Sequence, residues 1–131
     1  NKHKDLVERV AVLTAKKYEK EVYRVEARPL SSSEERVEKG YDIESKMSDG
    51  NPKYIEVKGM RGEGALELKK YQYKRIIDKK ERTRVYVVIN ALKNPELFEI
   101  KGESLIKPEF LPSLYLSSSE WRSITTNYWK P

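Results

Sequence analysis

The sequence predicts an α/β fold in which a mixed β-sheet is flanked by helices, in the order α-β-β-β-α-β-β. Three observations carry this. Residues 4–20 repeat apolar side chains at helical spacing. Two β-rich segments enclose the turn Ser48-Asp49-Gly50-Asn51-Pro52. Residues 85–91 (VYVVINA) form a nearly continuous apolar run, as a central strand covered on both faces does.

In the first helix, Leu6, Val7, Val10, Ala11, Leu13, Thr14 and Tyr18 make one broad face, flanked on one side by Glu8, Val12, Ala15 and Glu19. The small Ala11 and Ala15 let this helix approach a sheet closely. Residues 22–27 (VYRVEA) alternate and are rich in β-formers, which predicts a strand. Residues 28–40, with Pro29, a serine triplet and several charges, read as a solvent-exposed loop. Strands are predicted over 41–47 and 53–58, and the short turn between them implies an antiparallel hairpin. Gly59, Gly62 and Gly64 mark a flexible stretch, with a short extension at 65–68. Residues 69–80 read as a second helix with Tyr73, Ile76 and Ile77 inward, and 97–101 as a further strand. The tail from Gly102 reads as irregular apart from a short helix near 119–124, with Ser119 as its cap. One domain is expected over 1–131, with a core at about 5–101 and a tail at 102–131, excised from a longer protein because the chain opens on Asn1.

Val, Ile, Leu and Tyr are spread along the whole chain, which excludes a disordered chain despite the 37% of charged residues. The net charge of +6 makes a polyanion the first partner to consider. The absence of cysteine excludes disulfides, thiolate catalysis and cysteine-ligated zinc. His3, the single histidine, lies in a polar run beside the N-terminus and is expected to be solvated, which argues against a Ser-His-Asp triad. No apolar stretch approaches the roughly 20 residues of a membrane span, and no signal-peptide architecture is present. No membrane partner is expected, and the expected location is intracellular, cytoplasmic if the source is prokaryotic.

Strand side chains alternate between faces. Asp42, Glu44 and Lys46 therefore share one face, and Tyr54, Glu56 and Lys58 share a face of the next strand. In the hairpin, Asp42 and Glu56 stand on the same face of adjacent strands, with Lys58 two residues beyond. Two carboxylates held together repel, and a divalent cation, Mg²⁺ or Mn²⁺, resolves the conflict. Such a cation polarises a phosphodiester and makes hydroxide available, with Lys58 orienting the water and stabilising developing charge. The bland alternative is an ordinary charged strand face, since Glu-x-Lys alone occurs by chance in many proteins.

Gly40-Tyr41-Asp42-Ile43, a hairpin turn, and Ile55-Glu56-Val57-Lys58-Gly59 together resemble the core of the PD-(D/E)XK, restriction endonuclease-like nuclease superfamily. The likeness is to its Mrr-like branch, which includes the C-terminal domain of the plant NO VEIN protein. That domain type is also appended to helicase-like and ATPase proteins in prokaryotes. The similarity runs from about residue 5 to 100, and the tail has no counterpart. It implies that Asp42, Glu56 and the backbone carbonyl of Val57 hold the metal and that Lys58 positions water. It implies a carboxylate from the leading helix, matched best by Glu8 with Glu19 as the fallback, and a Gln or Glu from the second helix, matched by Gln72. An exposed helix carboxylate is the equally available reading of either Glu. Tyr41 stands where the superfamily name has proline. Residues 68–72 (LKKYQ) depart from relatives that more often show a Thr and a Glu there.

Residues 69–84 carry eight basic side chains, Lys69, Lys70, Lys74, Arg75, Lys79, Lys80, Arg82 and Arg84, opposed only by Asp78 and Glu81. With Arg61 on the glycine-bearing stretch, Lys69, Lys70, Lys74 and Arg75 are the candidates for leading a phosphate backbone to the site, against the bland reading of a solvated helix face. Tyr71 and Tyr73 are candidates for stacking on bases, although Tyr73 reads better as core. Trp121 and Trp129 are expected to pack. The expected function is a Mg²⁺- or Mn²⁺-dependent endonuclease domain acting on DNA. The alternatives are a catalytically silent nucleic-acid-binding module of a helicase- or ATPase-containing protein, and a protein-interaction domain whose basic face meets an acidic partner. Many nucleases of this kind pair to cut both strands, so a homodimer stays open.

Overall fold

The computed structural model describes residues 2–108 and 113–131, so residues 109–112 of the expected irregular tail lie outside it. Helix α1 (Lys2–Tyr18) runs into a π-helical turn over Glu19–Tyr23. Strand β1 (Arg28–Pro29), helix α2 (Ser33–Lys39), strands β2 (Ile43–Lys46), β3 (Pro52–Gly59) and β4 (Leu66–Leu68) and helix α3 (Lys70–Asp78) follow. Then come β5 (Thr83–Ile89), β6 (Glu96–Lys101), a 3₁₀ turn at Gly102–Leu105, β7 (Leu114–Leu116), α4 (Ser118–Ser123) and β8 (Thr125–Trp129). Among the described residues, six strands form the main sheet in the order β1-β2-β3-β5-β6-β8, and β4 pairs with β7 in a second, two-stranded sheet. Only β3 and β5 are parallel, so the sheet is mixed, as expected.

The sheet is covered on both faces. On one, Val7, Ala11, Ala15 and Tyr18 of α1 pack on Ile43, Ile55, Tyr86, Val88 and Leu97. On the other, Tyr73 and Ile76 of α3, Leu66 and Leu68 of β4, Leu114 and Leu116 of β7 and Trp121 of α4 pack on Val85, Val87, Ile89, Phe98 and Ile100. The residues of β5 alternate between these two cores, which is why it reads as an unbroken apolar run. Close approach of α1 depends on small residues. A Cβ on Gly59 would lie 2.7 Å from the Ala11 Cβ and 3.0 Å from the Val7 carbonyl.

Several sequence expectations give way. Residues 22–27 are not a strand. The π-helical turn runs to Tyr23, where Arg24 (φ 61°) reverses the chain, and pairing begins only at Arg28. Residues 28–40 are not a loop, because they contain β1 and α2. Ser32 caps α2 by accepting from the Glu35 N–H, the Glu35 carboxylate returns to the Ser31 N–H, and Gly40 ends the helix at φ 82°. Leu6 and Leu13 are exposed while Ala15 is buried, so the packed face of α1 is narrower and rotated towards its small residues. Ile77 is exposed. The tail carries the expected short helix as α4, but Ser117 rather than Ser119 caps it, and the tail is not otherwise irregular, because it also supplies β7 and edge strand β8. The hairpin, its turn, β5 and β6 lie where the sequence put them.

Candidate metal and phosphodiester site

The site forms where β2 begins. Pairing of β2 with β3 stops at Ile43↔Ile55, yet the Asp42 N–H also donates to the Ile55 carbonyl at 2.9 Å. Two consecutive residues thus face one, as in a β-bulge, which re-aims a side chain. The Asp42 carboxylate turns onto β3 and accepts the Val57 N–H on Oδ2 at 2.7 Å, replacing a main-chain acceptor. Residues before Asp42 cannot continue the ladder, because Gly40 at the end of α2 donates its N–H to Arg36 (2.8 Å). A strand residue presents its N–H and carbonyl to the same side. The Val57 carbonyl therefore faces the gap where β2 has departed, beside Asp42.

Glu56 points from β3 towards Gln72 of α3 and is buried. Burial pushes its carboxyl well above the usual range, and the charge of Asp42 and a hydrogen bond with it push the same way. The Lys58 charge and a hydrogen bond from Gln72 oppose the shift. Gln72 is itself buried, and its Oε1 accepts from Lys58 Nζ (3.0 Å) and from the Lys69 N–H (2.9 Å). One amide thus caps the first turn of α3 and joins Glu56 to Lys58. Glu56 is desolvated beside a second carboxylate, and the Lys58 charge only partly offsets this, an arrangement that a cation would relieve.

Among the described residues, no three His, Cys, Asp or Glu side chains cluster as a complete metal site. What meets here is two carboxylates, Asp42 and Glu56, with the Val57 main chain bound to Asp42. Hard oxygen donors of this kind are the type that Mg²⁺ or Mn²⁺ takes.

A profile of the family described as Protein NO VEIN, C-terminal, matches residues 7–100, well over half of the chain. The chain belongs to this family. The match begins in α1 and ends in β6, so the NO VEIN C-terminal region contains Asp42, Glu56, Lys58 and Gln72 but not β7, α4 or β8. No curated protein and no solved structure matches the chain.

Within this NO VEIN C-terminal domain the other expected site residues are placed unevenly. Glu8 is exposed and lies off the hydrogen-bond network just described, but its charge acts on the Tyr71 hydroxyl together with those of Glu56 and Asp42. Glu19, the fallback, is wholly buried in another cluster, where it accepts from Ser45 (2.6 Å), pairs with Lys53 (2.9 Å) and accepts from the Tyr86 hydroxyl. It is not available to Asp42. Arg61, Lys69, Lys70 and Lys74 are exposed. Arg75 is half-buried, donates from Nε to the Lys39 carbonyl at 2.7 Å and lies over the Tyr41 and Tyr54 rings, so it ties α3 to α2. Arg84 is buried beside Glu99 and adds nothing to the basic surface.

Sequence reasoning missed Arg36. Its Nε stands 3.7 Å from Asp42 Oδ1, on a helix whose composition predicts a loop. The available signal was Ser32-x-x-Glu35 followed by Gly40, a cap at each end of a short helix.

Proposed function

We propose that this domain is a metal-dependent endonuclease that hydrolyses DNA phosphodiester bonds. The observation that supports the reading is the meeting of the Asp42 and Glu56 carboxylates where β2 begins, with Asp42 bound to the Val57 N–H and Lys58 held beside Glu56 by Gln72. Asp42, Glu56 and the Val57 carbonyl would hold Mg²⁺ or Mn²⁺. When bound, such a cation acidifies a water and offsets charge on a phosphate. Burial of Glu56 keeps bulk water from its carboxyl, and Gln72 fixes both Glu56 and the Lys58 ammonium. Lys58 then presents N–H donors to the attacking oxygen and to the charge that grows on the phosphoryl group. Exposed Lys69, Lys70 and Lys74 supply phosphate contacts along the approach.

The test is incubation of plasmid DNA with the purified chain and Mg²⁺ or Mn²⁺. Nicking or cutting is expected, with a loss of at least about 10²-fold in Asp42→Ala and in Lys58→Ala. Undiminished cleavage by both variants would sink the assignment.

A second reading is a catalytically silent DNA-binding module serving a helicase or ATPase partner. It is favoured by the site's having two carboxylates where the resemblance implies a third from the leading helix. Salt-dependent DNA binding with neither cleavage nor Mn²⁺ binding would select it.

A further inference from the structure

Helix α2 carries a cation into the site that the metal reading leaves without a task. Ser32 and Gly40 fix the two ends of the helix. A Cβ on Gly40 would meet the Arg75 Cβ at 3.1 Å and the Tyr71 carbonyl at 3.4 Å, so the end of α2 is pressed against the first turns of α3. This sets Arg36 beside Asp42, with Nε 3.7 Å from Oδ1. The contact is loose. Arg36 lacks the short, paired N–H···O bonds of a fork-on-carboxylate bridge, and its side chain is 36% exposed against 16% for Asp42. Its neighbour Glu35 is turned back to Ser31 and does not compete for it. The charges of Glu56, Asp42, Arg36 and Glu8 all act on the Tyr71 hydroxyl of α3.

An arginine at the rim of an oxygen-donor site can either neutralise the carboxylate or bind a phosphate. It cannot do both when a divalent cation takes the carboxylate. We propose that Arg36 is a phosphate-binding residue of this site, resting against Asp42 in the absence of metal and turning to a backbone phosphate of the nucleic acid when a cation occupies Asp42. The proposal rests on the metal-site reading for the cation and on the position of α2 for the phosphate. Guanidinium suits the second task because its planar fork matches phosphate oxygens, whereas an ammonium offers only a point charge.

The test uses the whole chain and two readouts that do not need turnover. The first is Mn²⁺ binding without DNA, followed by electron paramagnetic resonance. Arg36→Ala removes a competing cation, so Mn²⁺ should bind about 2- to 5-fold more tightly, the range expected of a partly exposed pair. The second is binding of a fluorescent DNA duplex in Ca²⁺ across a salt series. Arg36→Ala should weaken it about 10-fold and reduce the slope of log K against log salt by about 1. Arg36→Lys should restore the slope and only part of the affinity. Unchanged affinity and slope in Arg36→Ala, with its melting temperature preserved, would overturn the proposal, whether or not Mn²⁺ binding tightens. Full rescue by Arg36→Lys would overturn the guanidinium role. The two readings fail separately. A wild-type chain that cuts DNA while Arg36→Ala binds it normally loses this proposal and keeps the nuclease. A chain that neither cuts nor binds Mn²⁺ loses the nuclease reading, and with it the exchange at Asp42.

Discussion

Glu56 is the residue at which function and stability part. Its carboxyl is raised in the fold by burial first and by Asp42 second, so folding disfavours its ionised form relative to water. The sign follows from the direction of the shift. A carboxyl raised on folding contributes its full share below its unfolded value of about 4.3, and that share is lost as pH rises through the folded value. Glu56→Gln keeps the shape and removes the charge. It should melt higher than the wild type in chelator at neutral pH, by about 2–6 °C, and the gap should close towards pH 4. The same variant should lose Mn²⁺ binding. A wild-type melting temperature equal to or above that of the variant at pH 7 would contradict a strained carboxyl pair. The same shift predicts that cation binding releases a proton and tightens as pH rises, because the metal takes the ionised form. Calorimetry in two buffers of different ionisation enthalpy would measure the proton. Much at this scale was legible. Alternation alone placed Glu56 and Lys58 on one face. The aim of Asp42 was not, because it depends on a bulge that no local pattern in Gly40-Tyr41-Asp42-Ile43 announces.

Among the elements, the placing of α1 on β3 depends on an absent side chain. Gly59→Ala would drive a methyl to 2.7 Å from the Ala11 Cβ. The cost should be about 1–3 kcal/mol by chemical denaturation, the range for overpacking. The helix must then rise off the strand that carries Glu56 and Lys58, so a folded Gly59→Ala should also lose the cleavage proposed for the wild type. Wild-type stability in this variant would show that α1 is free to shift. Helix α1 was legible from its period, but its exact face was not. Leu6 and Leu13 outrank Ala11 and Ala15 in hydrophobicity, while the sheet selects for small size. Helix α2 was missed for a different reason. Seven residues give too little periodicity to read, and its two caps were the only local signature. The β-rich residues of 22–27 misled because Tyr23 serves a buried polar cluster, donating to Glu99 at 2.5 Å, rather than a strand pair.

For the whole molecule, the stretch beyond the family match is structural. Trp121 is wholly buried in the core under α3 and donates from its indole to the Gly64 carbonyl at 2.8 Å, while Arg122 pairs with Glu63 on the same loop at 2.5 Å. Trp121→Ala should cost about 3–5 kcal/mol, and a chain ended at residue 101 should show no cooperative melting transition. A truncated chain that melts cooperatively would show that the matched region folds alone. The short helix and the packing of Trp121 and Trp129 were readable from the tail, but its strands were not, since Leu114–Leu116 and Thr125–Trp129 find their partners in β4 and β6, far away in sequence. The central parallel pair was readable because β5 advertises burial on both faces.

The meeting of α1 with β8 has a consequence in time. Tyr18 and Trp129 stand 5.5 Å apart, and Asn127 reaches Tyr23 (3.2 Å) and Glu99 (3.4 Å), closing the cluster of buried hydroxyls and carboxylates behind the sheet. Contacts joined over so long a stretch of chain form late, because loop closure must be met before they contribute. On a translating ribosome the hairpin that carries Asp42 and Glu56 emerges early, yet the sheet edge behind Tyr18 stays open until residue 129 is out. Refolding followed by tryptophan fluorescence should therefore contain a final phase that Trp129→Phe silences and Trp121→Phe leaves in place.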